Sequence, residues 1–306
     1  KWYPGEPLPR WQYACYWRKD GQALWKDTNL LADPNKDYKL DHTDTKRFAE
    51  KLCEQIGLET KAITTAYEDI LYHLWQEASL PKEVGPKEPE LLNAMSRKGF
   101  LAKMEKGIEN PVGYVLPLQF NEGRHCWQSC LWEFKREHCF LLPGESPLGY
   151  RLPLDSLQWS GNIIDRDPFD IPASFEKTKK LKKGFIGSEM IKTAMALEVR
   201  EERLYIFMPP TSHFEHYIAL LNAIESTAKA LSIPVVIEGY SPPKDSRIEK
   251  YAVTPDPGVI EVNIHPSTSW KQLVDRTTTL YELAKQTRLG TDKFMADGRH
   301  TGTGGG

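Results

Sequence analysis

The chain has 306 residues, 40% hydrophobic and 27% charged, with 40 basic against 42 acidic side chains. That much apolar material excludes global disorder, and a formal charge of -2 excludes the single-sign field behind non-specific nucleic-acid binding. The longest apolar runs, around Tyr217–Leu221 and Pro234–Ile237, fall far short of the roughly 20 residues that cross a bilayer, so neither a membrane span nor a signal peptide is expected.

The first 40 residues are rich in Trp, Pro and Gly. Trp2, Trp11, Trp17 and Trp25 read as aromatic anchors pinning an irregular segment onto a core. From Thr45 the helical period takes over, with Phe48, Leu52 and Ile56 on one stripe and Gly57 as a stop. A second helix is expected over Thr60–Ala78 and a third over Leu91–Ile108. Strands follow at Val112–Leu118, Cys126–Phe134 and His138–Leu142, then a turn-rich run to Asp155. The basic run Lys177–Lys183 reads as a solvated linker, with a phosphate-binding loop as the sharper alternative.

The last third is regular. Thr193–Arg200 and Arg203–Pro209 read as a hairpin turning at Glu201-Glu202. Ser212–Leu231 is an amphipathic helix that Ser212 can cap. Pro234–Tyr240 is a strand, and Arg247–Val253 pairs with Gly258–His265. Ser267–Thr287 is a second amphipathic helix, with Trp270, Leu273, Val274, Thr277, Leu280, Tyr281 and Ala284 facing inward. This order predicts an α+β fold with a mainly antiparallel sheet and helices packed on one face. A Trp/Pro-rich mixed region over 1–155 and a linker or insert over 156–190 precede the sheet-and-helix half over 191–306.

Five scattered cysteines argue against a disulfide framework and for a reducing, cytoplasmic setting. The local set His125-Cys126, Cys130 and His138-Cys139 lacks the paired spacing of zinc sites, so buried free thiols are expected there.

Alternation along Gly258–His265 places Glu261, Asn263 and His265 on one strand face and Ile260, Val262 and Ile264 on the other, core-facing side. A row of oxygen and nitrogen donors suits a hard metal or a substrate. Glu198, with Arg200 on its own face, and Glu238 are carboxylates in similarly apolar strands. Three carboxylates on separate strands could converge on a divalent cation. The tail Asp297–Gly306 offers Gly-rich backbone that can cradle an anion, with Arg299 and His300 beside it.

These runs carry a resemblance: KWYPGEPLPRW at 1–11, YWRKDG at 16–21, PGESPLGYRLPLDSL at 143–157, Ile206–Pro210, VTPDPGVIEVNIHPSTSW at 253–270 and TRLGTDKFMADGRHTGTGGG at 287–306. The sequence resembles a bacterial amidoligase family whose members carry a transglutaminase-like cysteine-peptidase domain upstream. That family is similar to the carboxylate–amine ligases of the glutamine synthetase and glutamate–cysteine ligase fold. The resemblance implies an ATP- and Mg-dependent enzyme joining a carboxylate to an amine through an acyl phosphate.

It also implies roles. Glu198, Glu238, Glu261 and His265 become metal ligands, and Asn263 a metal- or nucleotide-contacting position. His300 and Gly302, Gly304, Gly305 and Gly306 become a nucleotide loop that in the family continues into Asn-His. Beside these, Arg151 and Arg299 are candidates for neutralising phosphate or substrate carboxylate, with a structural salt bridge as the equal alternative. The chain then reads as a fragment cut inside that loop. The expected partners are the upstream peptidase domain and a small-molecule or peptide substrate bearing a carboxylate and an amine, with no nucleic acid and no membrane. Two other readings stand beside this one. One is a non-catalytic peptide- or substrate-binding module for the peptidase. The other is a hydrolase using Glu261 and His265 around one transition metal.

Overall fold

The computed structural model describes residues 12–69, 72, 110–157, 181–256, 259–290 and 297–299. These fall into two compact units, one formed by Lys1–Leu24 with Ser246–Gly306 and the other by Trp25–Asp245. Each is α+β. No described helix is long and apolar enough to cross a membrane.

The larger unit is built on a six-stranded sheet. Its strands are β2 (Thr64–Glu68), β3 (Gly113–Pro117), β6 (Cys139–Leu141), β8 (Ala194–Arg200), β9 (Arg203–Met208) and β10 (Val235–Gly239). They lie in the order β10-β9-β8-β3-β2-β6, antiparallel except at the two outermost pairings. A smaller sheet pairs β4 (Gln119–Asn121), β5 (Cys126–Ser129) and β7 (Phe185–Ile186). The β8–β9 hairpin turns at Glu201-Glu202, both with positive φ. That is the left-handed geometry a two-residue hairpin needs to match strand twist, here adopted without glycine.

Two helices cover one face of the main sheet. α1 (His42–Ile56) starts where Asp41 accepts hydrogen bonds from the backbone N–H groups of Thr43 and Asp44, with Asp44 returning the contact. It ends at Gly57, whose φ of 74° supplies the left-handed cap. Phe48, Leu52 and Ile56 are buried, as the period predicts. α2 (Phe214–Leu231) buries Leu220, Leu221, Ile224 and Ala228 and links β9 to β10, the crossover that makes this pair parallel. Its cap is His213 and not Ser212, and no side chain caps it.

The expected helix over Thr60–Ala78 is corrected within the described residues. Thr60–Ala62 is one 3-10 turn, and Thr64–Glu68 is strand β2. The helical spacing of Ile63 and Tyr67 yielded to the β-branched pair Thr64-Thr65 and to pairing with β3 and β6. The expected helix over Leu91–Ile108 and the basic run as far as Lys180 lie outside the described residues.

The sheet's other face carries a second apolar layer, including Val115, Trp132, Cys139, Leu148, Ala196 and Phe207. The segment Leu148–Arg151 folds over it as a 3-10 turn. Gly149 lies directly on Phe207, where an added Cβ would fall closer than 3.0 Å to the ring. Gly149→Ala is therefore expected to cost about 2–3 kcal/mol of stability through overpacking, measured by denaturant unfolding. An unchanged midpoint would contradict this packing.

In the smaller unit, β1 (Tyr13–Arg18), β11 (Ile248–Asp256) and β12 (Val259–Ile264) form an antiparallel sheet, followed by α3 (Trp270–Gln286). Two expectations are corrected here. Ile260, Val262 and Ile264 are exposed and do not face a core, and α3 has no buried residue although its stripe was expected to face inward. Ala252 and Thr254 of β11, which share the face of Glu261 and Asn263, are fully buried.

A candidate carboxylate site on the six-stranded sheet

Glu198 on β8, Tyr205 and Phe207 on β9, and Glu238 on β10 project from one face by strand alternation and register. Arg200, two residues beyond Glu198, joins them. Its guanidinium pairs with Glu238 Oε2 through Nη2 and approaches Glu198 Oε1 through Nε at 3.4 Å. It also stacks on Tyr205, 3.8 Å from the ring centroid. One cation thus serves two carboxylates.

Glu198 is buried because Gly113 stands opposite it on β3. With no side chain there, Leu148 folds close, and its N–H donates to Glu198 Oε1 at 2.8 Å. Burial pushes the Glu198 carboxyl above the ordinary value against the pull of Leu148 and Arg200. Burial also raises Glu238, opposed by Arg200. Glu238 Oε1 is buried with no hydrogen-bond partner. Tyr150 packs edge-on to Phe207 at 4.8 Å, and Tyr240 does so at 6.0 Å. The Tyr150 phenol is raised by burial, with Tyr240 and Glu238 adding to the effect. Tyr150 and Tyr240 remain about half exposed, which makes an aromatic rim beside the carboxylates.

Arg151 is buried on the neighbouring turn. Nη1 donates to Glu68 Oε1 at 2.9 Å, Nη2 pairs with Glu68 Oε2, and Nε donates to the Leu142 carbonyl at 2.7 Å. Sequence reasoning missed Glu68, because it lay inside the expected second helix.

The remaining sequence-predicted residues belong to the smaller unit. Glu261 and Asn263 share a face of β12, half-buried and exposed respectively. His265 follows the strand's last residue, and its ring reaches Trp17 and Glu249, which lie on the opposite face. His265 Nε2 lies 3.2 Å from Glu249 Oε1 and against Arg276 Nη2, and its Nδ1 is buried without a partner. Arg299 pairs with Asp297 on the surface. His300, Gly302, Gly304, Gly305 and Gly306 lie outside the described residues.

A second polar group surrounds Phe120. His216 stacks on that ring at 3.7 Å, and the Nε2 atoms of His213 and His216 lie 3.4 and 3.3 Å from Glu122 Oε1. Burial first, then His213 and His125, lower His216 to about 3. The mostly exposed Glu122 carboxylate does not offset burial, so this imidazole is neutral near pH 7. Cys126, Cys130 and Cys139 are buried free thiols, and burial pushes Cys139 up to about 12. Cys130 Sγ accepts the Ile191 N–H at 3.2 Å. Among the described residues, no three or more His, Cys, Asp and Glu side chains form a group that could hold a metal ion.

What the Glu198–Arg200–Glu238 group can hold follows from its charge. Two carboxylates face one guanidinium, both are pushed toward their neutral forms, and one oxygen has no donor. Two carboxylates are fewer than a cation site built from protein alone, so a hard cation here would take its other ligands from water or substrate, and a substrate ammonium would pair with the same oxygens.

The architecture and this strand-borne carboxylate pair place the chain in an α+β class with a mostly antiparallel sheet. The sequence matches the family described as "Putative amidoligase enzyme (DUF2126)" over residues 1–185 and 170–306. The chain belongs to this amidoligase family. No curated protein and no solved structure matches it at a significant level.

Proposed function

We propose that the chain is the sheet-bearing part of an ATP- and Mg²⁺-dependent carboxylate–amine ligase. Membership of the amidoligase family supports a ligase-type function. The observation that carries the finer reading is the buried Glu198–Arg200–Glu238 group, with its excess carboxylate and the unpartnered Glu238 Oε1. When bound, Mg-ATP supplies the phosphoryl group that converts a substrate carboxylate into an acyl phosphate, which an amine then attacks to release phosphate.

The chain's own residues would do three things. Glu198 and Glu238 supply oxygen ligands on adjoining parts of one rigid sheet. Arg200, paired with Glu238 Oε2 and 3.4 Å from Glu198 Oε1, keeps the two carboxylates oriented toward one ligand. Tyr150, Phe207 and Tyr240 form an apolar rim that limits water around the reacting carbonyl. Arg151, bound to Glu68, acts by fixing the turn that carries Tyr150. In the smaller unit, Arg299 and His300 with the glycine tail are proposed at nucleotide phosphates, and Glu261 and Asn263 as ligands on their own face of β12.

The test is release of ADP and phosphate, dependent on an added amine, by the full-length protein. Glu198→Gln keeps the acceptor for the Leu148 N–H but removes the charge, and is expected to lower that release by about 10²–10³-fold. Undiminished release would remove Glu198 from the site.

A further inference from the structure

A repeated dipeptide stands beside Glu238. Gly149-Tyr150 belongs to the 3-10 turn that folds over the sheet, and Gly239 ends β10 with Tyr240 next in the chain. Both glycines lie on the Phe207 ring. An added Cβ would fall 2.2 Å from Phe207 Cδ1 at Gly149 and 3.0 Å from it at Gly239. The missing side chains let each following tyrosine close on that ring. The planes of Tyr150 and Tyr240 stand at 84° and 88° to Phe207, with centroids 4.8 and 6.0 Å away. Backbone hydrogen bonds fix both residues. The Tyr150 N–H donates to the Pro147 carbonyl at 2.9 Å and the Tyr240 N–H to the Met208 carbonyl at 3.1 Å.

Core packing alone would close such a cluster. Here Phe207 is 4% exposed while Tyr150 and Tyr240 are 48% and 50% exposed, so the three rings make a corner open to solvent. Burial first, then Tyr240 and Glu238, raise the Tyr150 phenol, which places both phenols and the Glu238 carboxyl in one neighbourhood. Glu238 also carries the unpartnered oxygen, and its pair sets two carboxylates against one guanidinium. Aromatic rings beside surplus negative charge select a cation with an apolar body. A metal ion or ammonia has no carbon to lay against the rings.

We propose that the Tyr150–Phe207–Tyr240 corner and Glu238 bind the end of a primary alkylammonium, with its methylene groups against the tyrosine rings and its nitrogen toward Glu238. The inference rests on the ligase reading in naming that amine as the acceptor. The enzyme would then join a carboxylate to an alkylamine, free or as a lysine side chain, and not to ammonia. The corner is preformed. The two glycines, the two backbone hydrogen bonds and the Arg151–Glu68 pair hold the rings before a ligand arrives, so little ordering opposes binding.

NMR titration of the full chain with butylammonium, without Mg²⁺ so that the two cations do not compete, measures the binding. A Kd of about 1 mM is expected for so small a ligand. Butanol has the same shape without the charge and should bind at least about tenfold more weakly. Tyr150→Leu and Tyr240→Leu should each weaken butylammonium about 3–10-fold, while Tyr150→Phe and Tyr240→Phe, which keep the ring faces, should stay within about twofold. Glu238→Gln should cost about tenfold or more. Comparison with Nα-acetyllysine amide tells a free amine from a lysine side chain, the tighter binder naming the source. Butanol binding as tightly as butylammonium, leucine variants that bind like the parent, or no binding by about 50 mM, far above the expected constant, would each overturn the corner. Amine-dependent ADP release separates this failure from that of the ligase. If butylammonium binds in the expected pattern and no amine supports release, the ligase reading falls and the corner stands. If butylamine supports release with a KM that ignores both leucine variants, the corner falls and the ligase stands.

Discussion

Glu68→Ala is expected to destabilise the larger unit by about 3–5 kcal/mol, because it strands the Arg151 guanidinium without its carboxylate inside the protein. The pair is bidentate and buried at both ends, with side chains 8% and 7% exposed, so solvent cannot replace the missing partner. Arg151→Ala should cost a similar amount, since it also releases the Leu142 carbonyl. The double variant Glu68→Leu/Arg151→Met separates two roles for Arg151. If it acts by holding the Leu148–Arg151 turn against the sheet, the paired apolar replacement restores most of the stability and much of the activity. If it touches phosphate or substrate, stability returns while activity stays low. Urea unfolding beside the ADP-release assay distinguishes these outcomes. A Glu68→Ala variant within 1 kcal/mol of the parent, roughly the size of a surface ion pair, would refute the buried pair itself.

The same turn shows how far a sequence can be read here. Strand alternation put Glu198 and Arg200 on one face, and the structure adds Glu238 to them across two strand pairings. The β8–β9 hairpin and α2 were legible because period, length and turn residues agreed. Glu68 was not legible. Its local spacing matched a helix, and only pairing with β3 and β6, distant in sequence, makes it a strand residue aimed at Arg151. The role of Gly113 was hidden for a related reason, because its missing side chain matters only opposite Glu198. In the smaller unit the alternation was read correctly, but its sense was not. Period shows which residues share a face, and it cannot show which face a neighbour covers. Hydrophobicity alone assigns Ile260, Val262 and Ile264 inward, yet they are exposed while Ala252 and Thr254 on the other face are buried.

Glu238→Gln is expected to make the protein more stable at pH 8 and unable to gain stability from Mg²⁺. The sign follows from burial. Glu198 and Glu238 both have folded-state values raised above the ordinary carboxylate value. Their contribution to stability is therefore fully present below that ordinary value and is lost as pH rises through the raised ones. At pH 8 both are charged, share one guanidinium, and leave Glu238 Oε1 without a donor. Glutamine keeps the shape and removes the surplus charge, so about 1 kcal/mol of stability should return at pH 8 and little at pH 4. A cation that binds the pair would relieve the same repulsion in the parent. At about ten times its Kd, Mg²⁺ adds about 1.4 kcal/mol, or roughly 2–4 °C in Tm for a unit of this size. Thermal unfolding at the two pH values, with and without Mg²⁺, resolves both effects. Equal Mg²⁺ shifts in parent and variant would take the metal away from Glu238. A variant less stable than the parent at pH 8 would mean that Arg200 fully compensates the pair, and the excess negative charge that motivates a ligand there would be gone.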